Sequence, residues 1–286
     1  MKRHSRYFRS KEIDAKLRDY LTARTEGGYI SLKDEFMACS DLNLSFRAVE
    51  EAAFNLGLMP ARYRRNSNTF SVEEQYRLLK GSVAVVGCGG LGGYLIEELA
   101  RVGVGTIKAI DPDVFEEHNL NRQILSLIDN LGTFKARAAM ERVCSINPAT
   151  RLIPINAAFS RDNAHEILSD VQVVADALDS IHTRLVLIDE CRNHGIPLVH
   201  GSIGGWYGQV SVQYPEDRYL QDLFEGRGDK GIETELGNPS FTPALVASIE
   251  AVEVCKVLLG IKSPLVGNLL VIDLRELNFI MLKSKV

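Results

Sequence analysis

The sequence has no C-x-x-C pair in its 286 residues. Its five cysteines, Cys39, Cys88, Cys144, Cys191 and Cys255, are odd in number and scattered, which excludes a disulfide framework and points to a reducing cytoplasm. Surplus positive charge is also missing. A net charge of −4 gives no global basic field to recruit nucleic acid or an anionic membrane. No apolar run is long enough for a membrane span. The basic start (Lys2, Arg3, Arg6, Arg9, Lys11) lacks the apolar stretch of a signal peptide. What remains, 45% hydrophobic and 24% charged residues without an internal repeat, suits one large core with a smaller appendage.

Residues 1–60 form the appendage. Ile13, Leu17 and Leu21 recur at helical spacing, and Gly27-Gly28 ends that helix. Two more helices are expected, Ser31 to Cys39 and Ser45 to Asn55, with Gly57 as a C-cap. Helix, turn, helix is compatible with DNA reading. Glu50-Glu51-Ala52-Ala53 in the second helix is poor for phosphates, so a helical cap or dimerisation arm is favoured. Residues 61–81 read as a linker and a short helix, Val72 to Lys80.

From Ser82 onward strands and helices alternate, as in an α/β fold with a doubly wound, mostly parallel, Rossmann-like sheet. Val83 to Val86 is a short, wholly apolar buried strand. A helix follows at Gly93 to Val102, a strand at Thr106 to Ile110 and a helix at Thr133 to Ile146. Strands at Arg151 to Ala157 and Val171 to Ala175 precede a helix that Ser180 caps. Later strands are Leu198 to His200 and Gln209 to Tyr214. Residues 215–240 are polar and read as one long functional loop. A helix from Thr242 to Gly260 and two strands, Leu269 to Leu274 and Leu277 to Leu282, complete the pattern.

Gly87-Cys88-Gly89-Gly90-Leu91-Gly92 follows a strand and opens a helix, and Gly87, Gly89 and Gly92 fit G-x-G-x-x-G. Such glycines permit a tight turn and let phosphate approach N–H groups at a helix N-terminus. Asp111, about twenty residues on, stands where an acid holds a ribose hydroxyl. This much does not choose between NAD and ATP. The charged residues that follow do more: Asp113, then Asn119, Arg122 and Gln123, then Lys135, then Asp179. Singly, Arg122 is compatible with a surface ion pair, Lys135 with a solvated helix residue, and Asp179 with a helix cap. Together they imply a polyphosphate met by Arg and Lys, with magnesium on a carboxylate.

These motifs resemble those of the MoeB/ThiF/HesA family, bacterial relatives of the ubiquitin-activating enzymes, from about Arg62 to Gly260. The resemblance rests on Gly87 to Gly92, Asp111-x-Asp113, Asn119-x-x-Arg122-Gln123, Lys135, Leu178-Asp179-Ser180, Gly208-Gln209-Val210 and Thr242-Pro243. The Asn119 to Gln123 run is most similar to HesA-type members. It implies that residues 61–286 are an ATP-binding adenylation domain, with 215–240 as its crossover loop, and that the protein is a homodimer. Asp111 is expected on the ribose, Asn119, Arg122 and Lys135 on the phosphates, and Asp179 on magnesium. Gly87, Gly89, Gly90, Leu91, Gly92, Asp113 and Gln123 complete the nucleotide site. Arg62-Tyr63-Arg64-Arg65-Asn66 resembles the family's R-Y-x-R-N segment, which makes Arg65 an arginine finger supplied from the partner subunit.

The implied reaction is adenylation of the C-terminal glycine carboxylate of a ubiquitin-like sulfur carrier, similar to MoaD or ThiS and ending in Gly-Gly. Molybdopterin or tungstopterin, thiamine and cysteine synthesis use such carriers. Two departures from the family pattern stand out. The paired C-x-x-C motifs that bind zinc in many members are missing, so no structural zinc is expected. Residues 205–243 hold no cysteine, and Glu235 stands about where a thioester cysteine would be, so adenylation without a covalent enzyme–carrier intermediate is expected. The alternatives are an NAD-dependent oxidoreductase, which leaves Arg122, Lys135 and Asp179 without a role, a relative adenylating a small carboxylate or tRNA base, and a non-catalytic adaptor that binds partners through the appendage.

Overall fold

A computed structural model describes residues 15–229 and 233–283. Ile13 lies outside these residues. The appendage comprises helix α1 (15–24), strand β1 (Tyr29–Ile30), helices α2 (Leu32–Leu42) and α3 (Phe46–Asn55), and strand β2 (Met59–Pro60). Ser31 and Ser45 cap α2 and α3 by accepting from Asp34 N and Ala48 N. Leu17, Leu21, Ile30, Ala38, Val49 and Ala53 form a small core of their own. β1 and β2 pair in parallel, a feature with too short a pattern to read from sequence.

Two arginines join the appendage to the rest. Arg47 on α3 donates to Gly105 O at 2.9 Å, Thr106 Oγ1 at 3.1 Å and Leu79 O at 2.9 Å. Arg62 pairs with two buried carboxylates, Glu35 at 2.7 Å and Glu50. Burial raises the Glu35 carboxyl to about 7, against the pull of Arg62. Residues 61–70 are therefore no loose linker: Tyr63 is buried and its hydroxyl accepts from Asn147 Nδ2 at 2.7 Å.

The main body follows with α4 (Val72–Lys80), β3 (Ser82–Val86), α5 (Gly90–Val102), β4 (Thr106–Ile110), α6 (Lys135–Ile146), β5 (Arg151–Ile155) and α7 (Arg161–Leu168). β6 (Val173–Asp176), α8 (Ile181–Asn193), β7 (Leu198–Gly204) and β8 (Tyr207–Gln213) come next. α9 (Tyr219–Phe224), α10 (Glu233–Leu236), α11 (Phe241–Leu259), β9 (Asn268–Asp273) and β10 (Asn278–Lys283) complete the order. One eight-stranded sheet runs β10-β9-β8-β7-β6-β3-β4-β5. Its β7-β6-β3-β4-β5 half is parallel, and β8, β9 and β10 are added antiparallel. The mostly parallel, doubly wound α/β expectation is met.

Alternation along β3 builds two cores. Val83 and Val85 face α5, α6 and α11, while Ala84 and Val86 face α7, α8 and α9. The chain steps outward through β4 and β5 and then returns to place β6 on the other side of β3. The crevice at this reversal, at the carboxyl ends of the strands, is where such sheets take ligands. Two features depart from the sequence pattern. Helix α7 has no counterpart among the expected elements. The segment 215–240, expected as one polar loop, carries α9 and α10, and Leu220 and Phe224 of α9 are buried in the second core. Thr242 and Pro243 lie within the first turn of α11; Pro is tolerated there because first-turn N–H groups have no intrahelical partner.

Candidate active site

The glycine loop starts where β3 ends. Gly87 has φ +97°, and a Cβ there would lie 2.5 Å from Ala177 O. Gly92 packs its Cα directly against the loop: a Cβ would fall 1.8 Å from Gly87 O. These two glycines are required by backbone approach. Gly89, the N-cap of α5, and Gly90, its first residue, differ, since a Cβ on either would meet only side chains at ordinary contact, Gln123 at 3.6 Å and Arg122 at 3.5 Å. Leu91 is buried in the core beneath. The stems of Arg122 and Gln123 thus cover the open face of the helix N-terminus, where N–H groups and the helix dipole favour an anion. Gln123 Oε1 is buried and has no hydrogen-bond partner among the described residues, so a ligand N–H or O–H donor fits here.

Asp111 follows β4 and is buried. Its Oδ2 accepts from Cys88 N at 2.7 Å and its Oδ1 from Asp113 N at 2.9 Å. Burial raises its carboxyl above the ordinary carboxylate range, against the pull of Lys135. Lys135, at the start of α6, is buried with its Nζ 2.9 Å from Asp113 Oδ2 and 3.9 Å from Asp111 Oδ1. A cavity of about 380 Å³ opens beside them, lined by Asp113, Asn119 and Lys135 among others. Asn119 is buried with its Oδ1 accepting from Glu116 N at 2.9 Å.

Arg122 donates to His118 O at 3.2 Å and Asn121 Oδ1 at 2.9 Å. Partial burial lowers its guanidinium, and the charge of Asp179 acts against that. Asp179 is exposed on the turn after β6, and the cap of α8 is Ser180, whose side chain accepts from Thr183 N. The structure therefore gathers Gly87 to Gly92, Asp111, Asp113, Asn119, Arg122, Gln123, Lys135 and Asp179 along one rim.

It does not bring Arg65 there. Tyr63 meets Gly103, at the far end of α5 from the glycine loop. Thirteen helical residues separate them, about 20 Å at 1.5 Å per residue. Arg65, two residues on, is exposed and makes no hydrogen bond or ion pair with the rim among the described residues.

Comparison with known proteins decides the family. Residues 63–285 match the ThiF family. The chain belongs to the ThiF family. The SAMP-activating enzyme E1 of Haloferax volcanii is 39% identical over 210 residues, 72% of this chain and 78% of that protein. The sulfur carrier protein adenylyltransferase of Thermus thermophilus is 37% identical over 216 residues, 72% of this chain and 80% of that protein. The E. coli tRNA N6-threonylcarbamoyladenosine dehydratase TcdA, solved in complex with ATP, is similar at a TM-score of 0.60 and 26% identity, covering 70% of this chain and 94% of that one.

Within this ThiF-family chain, Cys191 and Cys255 lie buried in α8 and α11. Burial raises both thiols, Cys255 to about 12, which makes either a poor thiolate nucleophile. One polar cluster went unread in the sequence: Asp176, Arg184 and His200, all buried directly behind Asp179. The only sequence signal was an aspartate ending an apolar strand and an arginine eight residues on, a spacing too common to single out.

Proposed function

We propose that this chain is an adenylyltransferase that uses ATP to activate the C-terminal carboxylate of a ubiquitin-like sulfur-carrier protein, in molybdopterin, tungstopterin or thiamine synthesis. The observation that carries this reading is the meeting of Arg122, Lys135 and Asp179 on one rim around a glycine loop at the sheet's reversal. A dinucleotide needs no such set on its phosphates. The names of the two curated relatives support the reaction class, and the ATP-bound TcdA structure supports the nucleotide.

In the proposed reaction the carrier's carboxylate, ionised at neutral pH, attacks the α-phosphorus, a new C–O–P linkage forms, and pyrophosphate leaves. No general base is required. The chain's contribution is positioning and charge: N–H groups of the glycine loop, Arg122 and Lys135 meet the phosphates, and Asp111 and Gln123 take ribose or base. Asp113 holds the Lys135 ammonium in place, and the incoming negative charge would share that ammonium with it. Magnesium fits Asp179, since this ion takes one or two carboxylates beside phosphate oxygens and waters, and would offset phosphate charge. Arg65 would act across a homodimer on the partner's nucleotide. With no cysteine in 205–243, the proposed product is the carrier adenylate rather than an enzyme thioester.

ATP–pyrophosphate exchange with candidate Gly-Gly carriers tests this. Asp179→Ala and Arg122→Ala are each expected to lose about a hundred- to thousandfold in rate with the fold intact. Wild-type exchange in either variant refutes the assignment.

A further inference from the structure

Behind the Asp179 turn, the cluster of Asp176, Arg184 and His200 takes no direct part in the proposed chemistry. Asp176 Oδ2 accepts from Arg184 Nε at 2.7 Å and is 2.7 Å from His200 Nδ1. Asp176 Oδ1 accepts from Leu178 N at 3.0 Å, and Arg184 Nη2 donates to Leu178 O. Leu178 is thus gripped at both its backbone polar groups. Its carbonyl belongs to the planar peptide unit whose nitrogen is that of Asp179, so holding the oxygen orients the start of Asp179.

The same cluster touches the crossover segment. Arg184 Cζ stands 4.9 Å from the centroid of the Phe224 ring, and the His200 ring is 5.1 Å from that ring, edge on. Farther along this segment, Asp229 O accepts from Ile181 N, and Asp229 Oδ1 accepts from Ser180 Oγ and His182 N at 2.8 Å each. The crossover segment is therefore seated on the first turn of α8, and Arg184 contacts both this segment, at Phe224, and the turn that carries Asp179, at Leu178 O. A guanidinium buried to this degree is costly unless its donors are all used, and here a carboxylate, a carbonyl and a ring share it.

We infer that Arg184 is a positioning residue: through Leu178 O it fixes where Asp179 stands, and through Phe224 it couples that placement to the seating of the crossover segment. His200 supports it from the other side of Asp176. Burial lowers the imidazole below its ordinary value, so His200 is neutral, donates from Nδ1, and leaves the Asp176 charge to Arg184. This inference rests on the reading of Asp179 as the magnesium carboxylate, and the test separates the two.

The full chain is titrated with α,β-methylene-ATP with and without magnesium, and trypsin cleavage after exposed Arg227 is timed in parallel. Magnesium should tighten analogue binding to the wild type, and Asp179→Ala should lose that gain. Arg184→Lys, which keeps the charge but not the two-pronged grip, should lose about tenfold of the gain, as residues behind a metal ligand do, with magnesium-free affinity unchanged. Cleavage after Arg227 should be several-fold faster in Arg184→Lys and in Phe224→Leu, by the loosened seat. A full magnesium gain in Arg184→Lys, where Asp179→Ala has none, overturns the positioning inference and leaves the Asp179 reading standing. A full gain in Asp179→Ala overturns that reading itself. Should Arg184→Lys not fold, Phe224→Leu carries the test: wild-type gain together with wild-type cleavage refutes the coupling.

Discussion

Replacing Gly92 by alanine sets backbone against backbone. The new Cβ would stand 1.8 Å from Gly87 O and 2.8 Å from Gly87 C, against the 3.4 Å at which ordinary contact begins. Neither atom belongs to a movable side chain. Gly87 is itself held at φ +97° against Ala177 O, so the strain passes to the turn after β6 that carries Asp179. The loop must open by more than 1 Å, and a misplacement of about 1 Å at a reacting centre costs on the order of a hundredfold in rate. Gly90→Ala is the control, with its Cβ in ordinary contact with the Arg122 stem at 3.5 Å. Thermal unfolding and ATP–pyrophosphate exchange should therefore separate the two: Gly92→Ala loses exchange and melting temperature together, while Gly90→Ala keeps its melting temperature. Wild-type exchange and stability in Gly92→Ala would refute this account of the loop.

Three further outcomes are expected. Glu35 holds its proton to about pH 7 in the folded protein but releases it near 4.5 when unfolded, so the folded state binds more protons between these values. Stability should then fall as pH rises from about 4.5 to 7, by on the order of 3 kcal/mol, and Glu35→Gln should flatten this part of a denaturation series. Arg62→Met removes the partner that buried Glu35 and Glu50 share and should cost about 3–5 kcal/mol in urea unfolding above about pH 7, where Glu35 is ionised. If Arg65 acts across a dimer, equal mixing of inactive Arg65→Ala and Asp179→Ala chains should restore about a quarter of wild-type exchange, since half the dimers carry one complete site; no recovery despite verified subunit exchange refutes the assignment in trans.

The sheet was legible because its strands are short, wholly apolar and set between helical patterns; Val83 to Val86 could only be buried on both faces. The rim was legible for a different reason. Gly87, Gly92, Asp111 and Lys135 are held to tight local geometry, so residue type and spacing carried the reading. What stayed hidden has long-range causes. Phe224 reads as one aromatic in a polar stretch until α9 folds it against Arg184. α7 is short and polar on its outer face, with Ala164, Ile167 and Leu168 its buried residues. The Arg62 pairs join residues 27 and 12 positions apart, beyond the reach of any local pattern.

Arg47 reaches from α3 to three acceptors on the body, one of them on the first residue of β4. Its guanidinium works as a rivet at the end of the sheet remote from the glycine loop. The appendage, packed on its own core, is therefore held at a set span from the glycine loop, not trailed on a tether.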